Sequence, residues 1–175
     1  MIRMTACLWV LGSVPAAPAM AAMALTSTDI QPGATIPQAQ IYPRCGGQNI
    51  SPQLSWSGAP AGTKSFVLPM IDISVQPSQW SHCFVADLPP KVTSLARGLR
   101  ALPNGAKALP SNFGDASYDG PCPPNGSGRH EYRLTIWALS TPTISLAADM
   151  NATDLNTALA KTVLAHAPLT GFLQR

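Results

Sequence analysis

From residue 25 onward, apolar residues come in short runs broken by turn signals. Ser65–Ile71 and His82–Ala86 are rich in β-formers and end at Asp, Gly or Pro punctuation. Arg133–Leu139 alternates ahead of a Thr-Pro turn, and Leu54–Trp56 is a shorter strand candidate. Only the tail has helical spacing. Between Thr153 and Ala167, the residues Leu155, Ala158, Leu159, Thr162, Val163 and His166 recur three and four apart. Asn151 or Thr153 is placed to cap that helix and Pro168 to end it. His166 lies on the apolar stripe and reads as a partly buried structural histidine. Trp56, Trp80 and Trp137 are core candidates, although Trp80 lies close enough to His82 to wall a site there. With no internal repeat or low-complexity linker, the pattern predicts one mainly β domain over residues 25–175. Its expected form is an antiparallel β-sandwich with a C-terminal α-helix.

Composition supports this reading. The chain has 175 residues, 46% hydrophobic and only 11% charged, which argues against disorder. Eighteen prolines and thirteen glycines imply many turns, and the single glutamate, Glu131, weakens any case for long solvated helices. Residues 1–24 read as a secretory signal peptide: Arg3 charges the start, Ala6–Val14 is apolar, and small residues follow at Ala19-Met20-Ala21 and Ala22-Met23-Ala24. Pro15 and Pro18 break the run well short of the roughly 20 residues a membrane span needs. No other segment is apolar enough to cross, so the sequence predicts a periplasmic or secreted protein. Loss of Arg3 leaves a nearly balanced charge. No basic run marks a nucleic-acid face.

Three cysteines then remain. Cys45 and Cys122 sit in Gly/Pro-rich loops, whereas Cys83 sits in an apolar strand pattern. In an oxidising compartment this predicts a Cys45–Cys122 bridge and a free Cys83, with three reduced thiols as the alternative. Closing so long a loop contributes about 4–5 kcal/mol in the chain-entropy model.

Three polar residues stand out against this apolar background. Asp72 ends one strand pattern and His82 opens the next, so a hairpin brings them side by side. His130 precedes a third strand, with Tyr132 two positions on and on the same side. Around them lie Cys45-Gly-Gly-Gln-Asn-Ile-Ser-Pro-Gln-Leu-Ser-Trp56, Trp80-Ser-His82 and Gly120-Pro-Cys-Pro-Pro124, ahead of His130-Glu-Tyr132.

In order and spacing these pieces resemble the phosphatidylethanolamine-binding protein family, which includes Raf kinase inhibitor protein and bacterial relatives. The resemblance implies a two-sheet sandwich with a pocket at one end for phosphate or a phosphorylated head group. It assigns Asp72 to the first aspartate of an Asp-Pro-Asp-x-Pro motif and His82 to a Trp-x-His-Trp stretch. His130 and Tyr132 take the ends of a His-Arg-Tyr triplet, and Pro123 and Pro124 line the same pocket. Imidazole N–H groups and the Tyr132 hydroxyl suit phosphate oxygens as donors. The chain departs from the pattern after Asp72, where Ile73 and Ser74 replace Pro and Asp. Cys83 stands where tryptophan is common, and Glu131 replaces the usual arginine. Tyr118 and Asp119 read as turn and packing residues, and Asn49, Ser51 and Pro52 as loop-shaping ones.

The leading expectation is non-enzymatic binding of a small anionic or phosphorylated ligand, with no cofactor. The alternative is inhibition of a protease or kinase through the protein surface. A metal or hydrolase site is the third reading, since two histidines and a carboxylate can ligate iron or zinc. No Gly-x-Ser-x-Gly, His-Glu-x-x-His or P-loop sequence supports it.

Overall fold

A computed structural model describes residues 22–146 and 152–175. Residues 1–21 of the expected 1–24 signal segment, and the Asn151 cap, lie outside them. The described residues form a three-stranded antiparallel sheet packed on a five-stranded one. The small sheet runs β1 (Ala24–Thr26), β2 (Leu54–Ser57), β5 (Ser94–Leu95). The large sheet runs β6 (Lys107–Leu109), β4 (Trp80–Leu88), β3 (Ser65–Asp72), β7 (Arg129–Leu139), β8 (Val163–Gln174). Among the described residues one α-helix, α1 (Ala152–Leu159), precedes β8. None of the described helices is long and apolar enough to cross a membrane.

The central position of β3 explains its apolar run from Phe66 to Ile71, because all eight of its residues are buried. Phe66, Leu68 and Met70 face the small sheet and meet Leu25, Leu54, Trp56 and Leu95. Val67 and Ile71 face the other way, in a second cluster with Phe84, Leu155 and Leu159. The large sheet is therefore covered on one face by its partner sheet and on the other by α1.

The tail differs from the expectation. The helix stops at Leu159, and Val163–Ala167 opens a twelve-residue strand. Pro168 lies inside that strand, opposite Thr135, instead of ending a helix. The helical spacing ran on by coincidence through the turn at residues 160–162. Ala167, Leu169, Gly171 and Leu173 are buried at every second position, the period of a strand. His166 is exposed on β8 and stacks on Trp137 with ring centroids 4.5 Å apart.

Cys45 and Cys122 are joined, with Cα atoms 5.5 Å apart, and Cys83 is free and buried. The two segments the bridge links also pair through their backbones: Tyr42 N–H donates to the Pro121 carbonyl at 3.1 Å. Gly120 lies flat against this crossing, and a Cβ there would run into the Gln40 carbonyl. Backbone cannot yield as a side-chain tip can. Gly120→Ala is accordingly expected to cost about 1–3 kcal/mol, the usual range for overpacking. Urea unfolding of the variant beside the parent measures it, and an unchanged midpoint would refute this account of the crossing.

Candidate functional site

The strand ends bring the predicted polar residues together. Asp72 is the last residue of β3 and pairs across the ladder with Tyr132 of β7 on one side and Trp80 of β4 on the other. His130 sits two residues before Tyr132 on the same face. His82 arrives by another route. Met70 pairs with Cys83 and Ile71 with Ser81, so His82 is the extra residue of a β-bulge. A bulge re-aims a side chain without ending the strand. Here it frees the His82 backbone to bond the loop at residues 111–120. The Asp119 N–H donates to the His82 carbonyl at 3.0 Å, and His82 Nδ1 lies 2.6 Å from the Asp119 carbonyl.

These side chains open on a pocket of about 320 Å³ that Tyr42, Arg44, Trp80, Phe113, Pro123 and Pro124 complete. Asp72, His82 and His130 are 3%, 3% and 8% exposed, so the polar floor lies deep. Trp80 is 40% exposed and meets Phe113 edge-on at 5.9 Å, which makes it a rim residue of the pocket, the second of the two places its nearness to His82 allowed. Trp56 is core, as expected, and Trp137 is half-buried.

Acceptor geometry fixes two ring tautomers. A carbonyl only accepts, so His82 carries a proton on Nδ1 and donates it to Asp119. In its neutral form Nε2 is then a bare lone pair. His130 Nδ1 lies 2.6 Å from Asp72 Oδ2 and donates to that carboxylate in the same way. Its Nε2 lies 3.0 Å from Ser127 Oγ, while the same hydroxyl donates to the Pro124 carbonyl at 2.7 Å. One hydroxyl has one proton. Both Ser127 contacts are made together only when His130 Nε2 also carries a proton.

Burial sets the electrostatics. It pushes the His82 imidazole below its ordinary pKa, against the opposing pull of the Asp119 carbonyl and the Asp72 carboxylate. Burial, and then the Asp72 carboxylate beside it, hold the Tyr132 phenol well above the usual range, so it stays a donor. The Asp119 carboxyl is pushed up to about 6, first by burial and then by its contact with Asp115. Arg44 adds a cation to the rim, with no ion-pair or hydrogen-bond partner among the described residues. Glu131 turns away and pairs with Arg133 at 2.8 Å.

Comparison with known sequences and structures fits this geometry. The sequence model of the phosphatidylethanolamine-binding protein family matches residues 26–174. The chain belongs to the phosphatidylethanolamine-binding protein family. A UPF0098 protein of Aquifex aeolicus is 34% identical over 157 residues, covering 89% of this chain and 90% of its own. The crystal structure of Escherichia coli YbcL, described as a new member of the mammalian PEBP family, superposes with a TM-score of 0.81 at 32% identity. It covers 89% of this chain and 99% of its own. A putative lipoprotein of Mycobacterium tuberculosis, LppC, is 35% identical over 123 residues, 70% of this chain and 58% of its own.

Ser74, standing where the motif has its second aspartate, ties the exit of β3 to β7. Its N–H donates to Asp72 Oδ1 at 2.9 Å, and its hydroxyl oxygen accepts the Glu131 N–H at 2.9 Å. Asn49 does more than shape its own loop: its amide accepts from Gly120 N–H at 2.8 Å and donates to the Tyr118 carbonyl at 3.0 Å. Asp119, read from sequence as a turn residue, orients His82 through its carbonyl. Sequence reasoning missed Ser127, Arg44, Tyr42 and Phe113. Nothing local marks them, although Ser127 lies among the glycines just before His130.

The depressed His82 pKa has a defined sign. Below about 6.5 an unfolded chain takes up a proton that folded His82 resists, so this residue withdraws stability as pH falls through that point. The His82 C2 proton is expected to titrate below 6.5, with an Nδ1–H tautomer at neutral pH. Nitrogen-edited NMR of the imidazoles checks both, and a midpoint above 6.5 would contradict the burial argument.

Proposed function

We propose that this protein binds a small anionic ligand, a phosphorylated head group or metabolite, in the pocket floored by Asp72, His82, His130 and Tyr132, and does so without catalysis. The observation that carries the proposal is the convergence of two buried imidazoles, a phenol and the unpaired Arg44 on one 320 Å³ opening. That volume lies at the lower end of the roughly 300–1,000 Å³ of small-molecule sites. Charge-assisted bonds from Arg44 and a protonated His82 Nε2 suit a phosphoryl group, with the Tyr132 hydroxyl as a neutral donor. Asp72 stays beneath, its oxygens occupied by His130 and Ser74, so its charge orients donors and need not meet the ligand. The edge-packed Trp80 and Phe113, with Tyr42, supply a rim for the ligand's less polar part.

We place the protein outside the cytoplasm, in the periplasm or medium, after removal of the N-terminal signal. The Cys45–Cys122 bridge and the lipoprotein name of one relative support export. Of the two small-residue cleavage patterns, cleavage after Ala21 leaves β1 whole, whereas cleavage after Ala24 removes the residue with which its pairing starts.

Calorimetric titration with phosphorylethanolamine and with inorganic phosphate tests the binding proposal. A single saturable site is expected, tightening as pH falls from 7.5 towards 5.5 because bound anion favours the protonated His82. His82→Ala is expected to weaken it about tenfold or more, as loss of a charge-assisted hydrogen bond does, and His130→Ala to weaken it by releasing Asp72 and Ser127 from the bonds that hold the floor in place. Absence of saturation at millimolar ligand, or affinity untouched by both variants, would overturn the proposal.

A further inference from the structure

The second large cavity lies between the sheets and shares no lining residue with the pocket over the polar floor. It measures about 340 Å³, and its walls include Leu54, Leu68, Leu95, Leu99, Leu102 and Leu134. Leu54 and Leu95 come from the small sheet, Leu68 and Leu134 from the large one, and Leu99 and Leu102 from the connection after β5. The space arises because the connection between β5 and β6 bridges the two sheets without filling the gap between them.

Most of the lining surface is apolar. Among its few polar side chains, the Ser51 oxygen accepts the Leu99 N–H at 3.2 Å, and Ser117 donates to Asp115 at 2.9 Å. The Tyr118 hydroxyl donates to the Gln40 carbonyl at 2.9 Å. None of the unpartnered buried polar side-chain atoms among the described residues belongs to the wall. Cys83 also opens here, and burial pushes its thiol up to about 12, so it stays a neutral, weakly polar surface. A buried water needs two to four polar partners, whereas a dry cavity of roughly 150 Å³ already takes benzene. This one is more than twice that size.

Its mouth carries charge. Arg100 lies on the rim, exposed, with no ion-pair or hydrogen-bond partner among the described residues. The guanidinium is the only charged group among the lining residues. An apolar well capped by one unpaired cation is complementary to a single alkyl chain ending in one anion.

We propose that this inter-sheet cavity is a second binding site, which takes the chain of a medium-length monoanionic amphiphile and pairs its carboxylate with Arg100. The volume admits one short chain and excludes a two-chain lipid. The site is separate from the anion pocket and does not rest on that assignment.

Calorimetry of the full chain with hexanoate, octanoate and decanoate, each below its micelle concentration, tests the proposal. Affinity should rise by up to roughly fourfold per methylene until the cavity is full, then level off. Arg100→Ala should weaken octanoate about three- to fivefold and leave octanol unchanged, as expected for an exposed ion pair. Ala96→Trp, which places a large ring at the exposed rim, should abolish both. His82→Ala should change neither. No saturable binding, no dependence on chain length, or equal loss of octanoate and octanol in Arg100→Ala would overturn the proposal. So would loss of octanoate binding in His82→Ala or its displacement by inorganic phosphate, either of which would move the amphiphile to the other pocket.

Discussion

A buried carboxylate has to be satisfied from several directions, and the satisfaction of Asp72 organises the end of this sandwich. Its Oδ1 accepts the Ser74 N–H, which turns the chain out of β3, and its Oδ2 accepts Nδ1 of His130 from the neighbouring strand. Ser74 in turn accepts the N–H of Glu131, so one side chain and its partner lock the β3 exit to β7. Removing one member of such a buried set typically leaves the other charge stranded, at a cost of about 3–5 kcal/mol. Register, loop path and imidazole orientation are therefore one problem with one solution. The polar floor is preorganised by the same bonds that hold the strands in line.

His82 is held by an independent clamp. Its carbonyl and its Nδ1 both engage the backbone of Asp119, while Asn112 bonds Ser81 through both its amide oxygen and its N–H. The loop bearing Phe113 is thus anchored at both ends to the first three residues of β4. Little side-chain or loop freedom remains to be lost when something enters, which is how a small site reaches useful affinity.

Much of this was legible in the sequence, for physical reasons. The central strands are buried on both faces and therefore announce themselves as apolar runs. The pairing of Asp72 with the region of His82 and His130 followed from strand ends and alternation. The tail was misread because Leu155, Ala158, Leu159, Thr162 and Val163 keep helical spacing across the turn that ends α1. The strand period that follows is disguised at Gly171. That residue is core-facing, yet it has no side chain because Ile36 and Ile30 occupy the space a Cβ would need. Trp80 could be read either as core or as pocket wall, since an aromatic beside a strand signal usually goes inward, and it stands at the rim against Phe113. Ser127, Arg44 and the carbonyl of Asp119 were not legible at all. Each acts through contacts made across the fold, and in the case of Asp119 through an atom every residue possesses.

The long final strand bears on how the molecule behaves among copies of itself. β8 lies at an edge of the large sheet, and an unpaired edge is a template for another chain. Along much of its length this template is already spoilt. Gly33, Ala34 and Ile36 exchange backbone hydrogen bonds with Thr170 and Phe172, and Pro168 brings no N–H to the ladder. At the opposite edge, β6 offers only three residues. Among the described residues, what stays open is Val163–Ala167, where Leu164 is 42% exposed and His166 covers Trp137. Strand-to-strand self-association through β8 is confined to those five residues, and a charge placed among them is where resistance to aggregation is most readily added.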